Sequence, residues 1–206
     1  MQKFIEKIKD ATKQSQALNV NKADVDERVY TDKNMSLIDE FQQEFEKVGG
    51  EFYLSESVEE TTEILRKIIK ENSWRNIFCV DRELIDNHGN IGADFITDFK
   101  ILSKAEAGLN GCEFIAARTG SIIISSMQKN GRRLNIFAPS MIYIAQKSQL
   151  VKDIQEGISE IFGRSAKKSL SLISIVTGPS RTADIEKTLI LGMHGPKRVL
   201  LIYENF

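Results

Sequence analysis

The residues best suited to chemistry lie near the end of the chain, in two short polar motifs. The first is TGPSRTADIE at residues 177–186, and the second is GMHGP at residues 192–196. Gly178 lets the backbone approach a ligand closely, because glycine has no side chain. Arg181 carries a planar fork of donors that fits a carboxylate or a phosphate. His194 can act as an acid, a base or a donor near neutral pH, unless backbone groups satisfy it.

Two apolar runs flank the first motif and predict the elements that position it. Residues 170–176 and 199–203 are short, rich in large aliphatic side chains and bounded by turn residues, which is typical of buried strands. Residues 183–191 show helical spacing of their apolar side chains. We therefore expect a parallel strand–helix–strand unit. Ser180 and Thr182 would cap its helix, whose positive N-terminal end favours an anion.

A polar turn of this kind is also common without any ligand. Pro179 would stiffen the turn. Asp184 would lie in the first helical turn, where its carboxylate favours the helix dipole and repels an anion. From the residues alone, the turn can therefore be interpreted either as a ligand site or as a purely structural turn.

Two upstream segments could add groups to such a site. Glu106 could serve as a general base or an acyl nucleophile, or it could be a surface carboxylate on a helix. Thr119, Gly120 and Ser121 open an apolar strand. Their hydroxyl and backbone donors suit an oxyanion or a phosphate, but without a partner they form only a turn.

The middle of the chain predicts an antiparallel insertion. Four short strands are expected at residues 114–117, 121–126, 134–138 and 141–145. Asn130-Gly131 is the strongest β-hairpin signal in the sequence. Arg132 and Arg133 would follow this turn on opposite faces of a strand, so at most one of them faces the site. Exposed hairpin arginines are otherwise routine.

The first part of the chain predicts alternating helices and strands. A helical stripe runs from Leu37 to Val48, and a capping box of Ser57 and Glu60 starts the next helix. Strands are expected at residues 51–54 and 76–80, and this alternation favours a parallel sheet. We expect residues 1–34 to form an N-terminal helix and a polar arm, which either is mobile or wraps a neighbouring subunit. We expect residues 35–206 to form a single α/β domain.

Composition excludes several classes of function. With 206 residues and 41% hydrophobic content, the chain is long enough to bury a core. The net charge of −1 gives no attraction to nucleic acid or to an anionic membrane. No run is long enough to span a membrane and no signal peptide is evident, so a cytoplasmic protein is expected.

The chain has few side chains that could bind a metal ion or an iron–sulfur cluster. Cys79 and Cys112 lie in apolar surroundings and are expected to be buried thiols, too few to hold an iron–sulfur cluster. Asp81, Glu83 and His88, with Asp86, could ligate a metal, but a helix cap followed by a turn is the better interpretation. No metal and no cofactor are predicted.

The motifs carry a family resemblance. TGPSRTADIE followed by GMHGP resembles the signature of the lactate-utilisation protein C family, also called the LUD domain or YkgG family. Further matches are AEAG at residues 105–108, ARTGS at 117–121, and GRR at 131–133 with AP at 138–139. Together they cover the chain from about Ser103 to its end.

The resemblance implies a fold and candidate sites. The fold would be a three-layer α/β/α sandwich resembling the ribose-5-phosphate isomerase and CoA-transferase-like group, with a mostly parallel sheet and an antiparallel insertion. Glu106 and His194 become candidate catalytic residues, and the motif arginine corresponds to Arg133. The expected ligand-binding residues are Thr119, Gly120, Ser121, Arg133, Thr177, Gly178, Ser180, Arg181, Thr182 and Asp184.

The resemblance also implies a function. The protein would be an accessory subunit of a lactate-oxidising iron–sulfur system that binds an organic acid or partner proteins. An enzyme or a sensor for an acyl or phosphorylated metabolite is the alternative. Expected partners are a small anionic metabolite, iron–sulfur proteins and a further copy of the chain. The family usually has an acidic residue where Arg118 stands, which indicates either a lost activity or a more anionic ligand.

Overall fold

A computed structural model describes residues 34–165, 170–185, 188–191 and 195–206. The chain divides into two units, Met1–Asn34 and Met35–Phe206, and every element named below belongs to the second. The expected N-terminal helix and arm lie outside the described residues, apart from Asn34, and stay a prediction.

A parallel sheet forms the centre of the fold. Its six strands lie in the order β1-β12-β7-β4-β2-β3, and every neighbouring pair is parallel. The strands are β1 (Glu51–Ser55), β2 (Asn76–Phe78), β3 (Asp94–Ile96), β4 (Ala107–Gly111), β7 (Ser140–Gln146) and β12 (Arg198–Glu204). Because all six run the same way, their carboxyl ends share one edge of the sheet and their amino ends share the other.

Both faces of this sheet are covered, which explains the nearly continuous apolar sequences of its central strands. Tyr143 of β7 points into one apolar cluster and its neighbour Ile142 into another, on the opposite face. The first cluster contains Phe41 and Phe45, and the second contains Leu65. Helices therefore flank the sheet on both sides, which confirms the expected α/β sandwich.

Four helices pack against the strands, and the first three begin where the sequence predicts. They are α1 (Leu37–Lys47), α2 (Val58–Glu71), α3 (Arg82–His88) and α5 (Ile154–Ser165). The Ser57 side chain accepts a hydrogen bond from the Glu60 N–H and caps α2. The Asp81 side chain accepts one from the Glu83 N–H and caps α3, as expected.

A smaller sheet packs against the face that carries α1. It contains β8 (Leu150–Val151), β5 (Phe114–Ala116), β6 (Ser121–Ser125) and β9 (Ile173–Val176), in that order. β6 is antiparallel to both β5 and β9, which confirms an antiparallel insertion. The predicted meander is wrong at residues 141–145, because they belong to β7 of the central parallel sheet.

The hairpin predicted at Asn130-Gly131 is wrong, since these residues start a helix, α4 (Gly131–Phe137). Asn130 is fully buried, and its Oδ1 accepts the Val80 N–H at 2.6 Å while its Nδ2 donates to the Leu109 carbonyl at 3.1 Å. These bonds fix the chain to the segment after β2 and to the middle of β4. Gly131 has the positive φ of +66° that the dipeptide favours, but the chain then turns into a helix. The strand predicted at residues 134–138, and with it the strand positions of Arg132 and Arg133, is therefore also wrong.

The helix predicted at residues 183–191 is wrong as well. The stretch forms an antiparallel pair, β10 (Arg181–Ile185) and β11 (Thr188–Leu191). Nine residues are too few to separate a helical from a strand period, and the β-branched residues of this stretch favour strands. β9 and β12 belong to different sheets, so the predicted parallel unit is absent from the described fold. With no helix here, the helix caps predicted at Ser180 and Thr182 are wrong, and no helix dipole at this turn attracts an anion.

Candidate functional site

Two motifs that are far apart in sequence meet in the fold, as the resemblance implies. The Oγ of Ser121 lies 2.8 Å from the Oγ1 of Thr177 and accepts a 2.8 Å hydrogen bond from the Oγ1 of Thr119. We call Thr119, Gly120, Ser121, Thr177 and Gly178 the signature cluster. Its members are brought together because β6 pairs with β9, with Ile122 opposite Val176.

The hydroxyl groups of the cluster form a chain with a direction. Each hydroxyl has a single hydrogen to donate. If Thr119 donates to Ser121 and Ser121 donates to Thr177, the hydrogen of Thr177 is left for an acceptor outside the chain. Ser121 is fully buried whereas Thr177 is exposed, so this donor faces the surface. Linked hydroxyls polarise one another, which strengthens the terminal donor.

The two glycines of the cluster pack against the end of α1. Gly120 and Gly178 have φ values of +58° and +77°. A Cβ on Gly120 would lie 2.2 Å from the Phe45 nitrogen, and one on Gly178 would lie 2.5 Å from the Val48 oxygen. Only glycine allows backbone segments to approach this closely. The glycines therefore have a packing role, which needs no ligand.

Arg181 also contacts the end of α1. Its Nη2 donates a 2.6 Å hydrogen bond to the Val48 carbonyl. A cation at a helix C-terminus is favourable, so this residue has a structural role as well. Its side chain is exposed, and a guanidinium has five N–H donors in all, so an anion at the surface can still be bound.

Ser180 joins the two C-terminal motifs. Its N–H donates to the Pro196 carbonyl at 2.9 Å, and a Cβ on Gly195 would lie 3.1 Å from the Ser180 Cβ. Pro196 shortly precedes β12, and the Lys197 N–H donates to the Pro139 carbonyl just before β7. The turn therefore follows the carboxyl end of β9, as predicted, but borders the amino edge of the central sheet.

Glu106 lies before β4 and not on a helix. Its Oε2 accepts the backbone N–H groups of Arg75 at 2.5 Å and of Asn76 at 3.0 Å, which ties it to the start of β2. Among the hydrogen bonds of the described residues, none joins Glu106 to the signature cluster. Its proposed catalytic role stays a prediction.

The remaining predicted site residues are not brought to the cluster by any described contact. Arg133 is exposed on α4. Thr182 and Asp184 belong to β10, but their side chains lie outside the description. His194 falls in residues 192–194, which the structure does not describe.

Arg118 has a structural partner. Its Nη1 lies 3.7 Å from the Oδ2 of Asp153, and the Oδ1 of that aspartate accepts the Glu156 N–H at 3.0 Å at the start of α5. The arginine therefore supports the carboxylate that caps this helix. An acidic residue at position 118 would instead repel Asp153.

Sequence reasoning missed a cavity of about 300 Å³ at the carboxyl edge of the central sheet. It is lined by residues at the ends of β4, β7 and β12 and by residues of α3 and its cap. His88 and Glu204 are only 2% and 7% exposed, and the distance from His88 Nε2 to Glu204 Oε1 is 4.0 Å. Burial lowers the pKa of His88 and raises the pKa of Glu204. The only sign of this cavity in the sequence is the charged residue Glu204 at the end of the apolar run of β12.

Asp81 caps α3, and Glu83, Asp86 and His88 lie on that helix. Within the described ranges, no three His, Cys, Asp or Glu side chains come close enough to hold a metal ion. Both cysteines are buried free thiols, which confirms that prediction.

Comparison with known proteins then gives the family. A family model, LUD domain, matches residues 38–203. The chain belongs to the LUD domain family. In the described part of this LUD domain, no helix is long and apolar enough to cross a membrane.

Three relatives show the extent of the similarity. Lactate utilization protein C of Oceanobacillus iheyensis is 33% identical over 104 residues, or 50% of this chain and 45% of that protein. The protein of the same name from Halalkalibacterium halodurans is 26% identical over 159 residues, or 70% and 69% of the two chains. Uncharacterized protein YkgG of Escherichia coli is 30% identical over 105 residues, or 50% and 46%. The LUD domain thus matches about half the length of most of these relatives.

A solved structure shares the fold. The crystal structure of a DUF162 family protein from Deinococcus radiodurans matches with a TM-score of 0.59 and 21% identity, covering 82% of this chain and 96% of that chain. At this identity the likeness concerns the fold alone, and it agrees with the α/β arrangement described above.

Proposed function

We propose that this LUD domain takes part in lactate utilisation and binds a small organic acid at the signature cluster. The relatives named Lactate utilization protein C support a role in lactate utilisation. The observation that carries the binding proposal is the 2.8 Å contact between Ser121 and Thr177, which unites two motifs 56 residues apart in the chain.

The chemistry of the cluster suits a carboxylate. When Ser121 donates to Thr177, the Thr177 hydroxyl hydrogen is left for a ligand, and Arg181 offers a positive charge with N–H donors four residues further on. A carboxylate accepts hydrogen bonds from both types of donor, and such charge-assisted bonds are stronger than those between neutral groups. Lactate and pyruvate each carry one carboxylate beside a further oxygen, which gives two acceptors for these donors.

The role is accessory to the redox step. A chain with two cysteines, both buried as thiols, does not supply the ligands of an iron–sulfur cluster. The oxidation of lactate to pyruvate releases two electrons and two protons. Because an iron–sulfur cluster takes one electron at a time, partner proteins with at least two such clusters would accept the electrons, and the protons would pass to solvent. The LUD domain would hold the organic acid or organise such partners.

A thermal-shift screen tests the binding proposal. Lactate, pyruvate, sugar phosphates and coenzyme A esters would be added to the purified chain, because a ligand that binds only the folded state raises the Tm. The variants are Thr177→Val, which removes the hydroxyl and keeps the shape, and the exposed Thr97→Val as its control. We expect an organic acid to raise the Tm of the wild type and Thr97→Val, but not of Thr177→Val.

Two outcomes would overturn the proposal. One is the absence of any shift with an organic acid, including a screen in which only phosphorylated or acyl compounds act. The other is an organic-acid shift that persists unchanged in Thr177→Val and in Arg181→Ala.

A further inference from the structure

We propose that a second cavity of this LUD domain binds a nucleoside monophosphate, in which a planar base is joined through a ribose to a phosphate. The cavity has a volume of about 460 Å³, which lies within the range of small-molecule sites. It lies where α2 ends and where the chain enters β2 and β3, at the amino edge of the central sheet. Its lining shares no residue with the signature cluster, so the proposal does not depend on the function proposed above.

The cavity is positively charged, although the net charge of the whole chain is −1. Arg66, Lys70 and Arg75 line it, and no aspartate or glutamate is found among its described lining residues. Within the described part of the chain, no hydrogen bond or ion pair involves the side chain of Lys70 or of Arg75. Two positive charges are therefore available to a ligand. They match a phosphate monoester, which carries a charge of about −1.5 to −2 at pH 7.

Arg66 connects two sides of the cavity. It projects from α2, and its Nε donates a 2.6 Å hydrogen bond to the carbonyl of Asn90, in the segment before β3. Its Nη1 donates to Glu63, which does not line the cavity. These bonds use two of the five N–H groups of the guanidinium and hold it in place. The walls are thus fixed before a ligand binds, which lowers the cost of binding.

An indole and two aliphatic side chains give the cavity an apolar surface. Ile69 and Ile91 are buried, and Trp74 is half-buried. The guanidinium of Arg198 lies over the Trp74 ring, 5.9 Å from its centroid, and is held by two 2.8 Å bonds to Glu51. Arg198 does not line the cavity, so the indole presents a different surface to it. Bases stack on aromatic side chains, whereas an inorganic anion gains nothing from such a surface.

Ser73 brings a hydroxyl to a backbone position that favours glycine. It lines the cavity, and it is the only non-glycine residue with a positive φ, +55°, among those described. It follows the end of α2, where its N–H donates to the Lys70 carbonyl and the Trp74 N–H donates to the Ile69 carbonyl. Helices that end in this way usually have glycine here, because other side chains are strained in the left-handed conformation. A serine at this position indicates a role for its hydroxyl, which can donate to a phosphate oxygen.

Fluorescence titration of the full chain with AMP tests the proposal. Trp74 is the only tryptophan in the chain, so its emission reports on this cavity, and it can be excited where adenine does not absorb. Adenosine lacks the phosphate and ribose 5-phosphate lacks the base, so these two compounds are the matched ligand controls. We expect AMP to change the emission saturably, and calorimetry to show that each control binds about tenfold more weakly or worse.

A pair of double variants tests the two free cations. Lys70→Gln with Arg75→Gln removes both charges from the cavity. Lys67→Gln with Arg82→Gln removes two exposed cations that do not line it, and is the control. We expect the first variant to bind AMP about tenfold more weakly or worse and the second to bind it as the wild type does. No saturable change with AMP, equal binding of either control compound, or equal binding by both double variants would overturn the proposal.

Ser73→Gly separates ligand binding from folding. Glycine relieves the left-handed strain, so the variant should have a higher Tm than the wild type. It also removes the hydroxyl, so AMP should bind more weakly, and a purely structural serine would not produce this loss. A variant that gains stability and binds AMP as tightly as the wild type would contradict the role given to Ser73.

Discussion

The close approach of Gly120 to α1 gives a prediction whose size can be worked out. In Gly120→Ala the new Cβ would lie 2.2 Å from the Phe45 nitrogen and 2.5 Å from the Glu44 carbonyl carbon. These are backbone atoms, so no side-chain rotation can relieve the clash. Either the end of α1 or the turn before β6 must move by about an ångström to restore a contact near 3.4 Å.

Gly92 offers a matched control. Its φ is +81°, comparable to the +58° of Gly120, but a Cβ there would meet nothing within 4 Å. Both alanine variants carry the penalty of a left-handed backbone, about 1–2 kcal/mol. Only Gly120→Ala adds the clash, and forcing extra volume into a packed site costs about 1–3 kcal/mol more.

Urea unfolding followed by circular dichroism measures the difference. We expect Gly92→Ala to lose about 1–2 kcal/mol of unfolding free energy and Gly120→Ala to lose about 2–5 kcal/mol, with the difference between them set by the clash. If the two variants lose the same amount, the backbone of Gly120 does not lie against α1 and the packing described here is refuted.

Three further predictions follow from buried groups. Asn130→Ala leaves the Val80 N–H and the Leu109 carbonyl without their partner, so urea unfolding should show a loss of about 1–3 kcal/mol, and a neutral effect would contradict the network. Glu204→Gln removes a carboxyl whose pKa burial raises above its ordinary 4.5. Because the charged form is the disfavoured one, the variant should be more stable than wild type at neutral pH, and this gain should vanish as the pH falls through the raised pKa towards 4.5. If the stability gain of Glu204→Gln instead grew as the pH falls, the raised pKa of Glu204 would be contradicted. Burial raises the pKa of Cys79 to about 11, so its thiol should resist iodoacetamide in the native protein near neutral pH and react after denaturation. Rapid native labelling would show that it is accessible.

The helices of the first half could be predicted because their signals are local. The apolar stripe of α1 extends over eleven residues, and Phe41 and Phe45 on it are fully buried. The caps of α2 and α3 depend on residues two or three positions away. Information of this kind is contained in a single stretch of chain.

One group of errors came from contacts between distant residues, and another from a stretch too short to distinguish a helix from a strand. Asn130 starts a helix because it bonds to Val80 and Leu109, which are 50 and 21 residues away. A two-residue turn signal contains no trace of these partners. The hairpin of β10 and β11 was missed because the apolar spacing of so short a stretch is compatible with a helix and with a strand. Pairing between the two strands decides that the stretch is a hairpin.

The candidate site was predicted in part. The meeting of residues 119–121 with Thr177 was implied by the shared family motifs, and the pairing of β6 with β9 brings them together. The contact of Arg181 with Val48 could not be anticipated, since it depends on where α1 ends. The cavity beside Glu204 was missed because its residues come from separate strands and helices with no common motif.

A crystal structure of the LUD domain soaked with pyruvate tests the central claim most directly, because it locates the ligand. The account predicts density for the carboxylate within hydrogen-bonding distance of the Oγ1 of Thr177 and beside the guanidinium of Arg181. Pyruvate bound at the carboxyl-edge cavity, or a signature cluster that stays empty at saturating concentration, would contradict it.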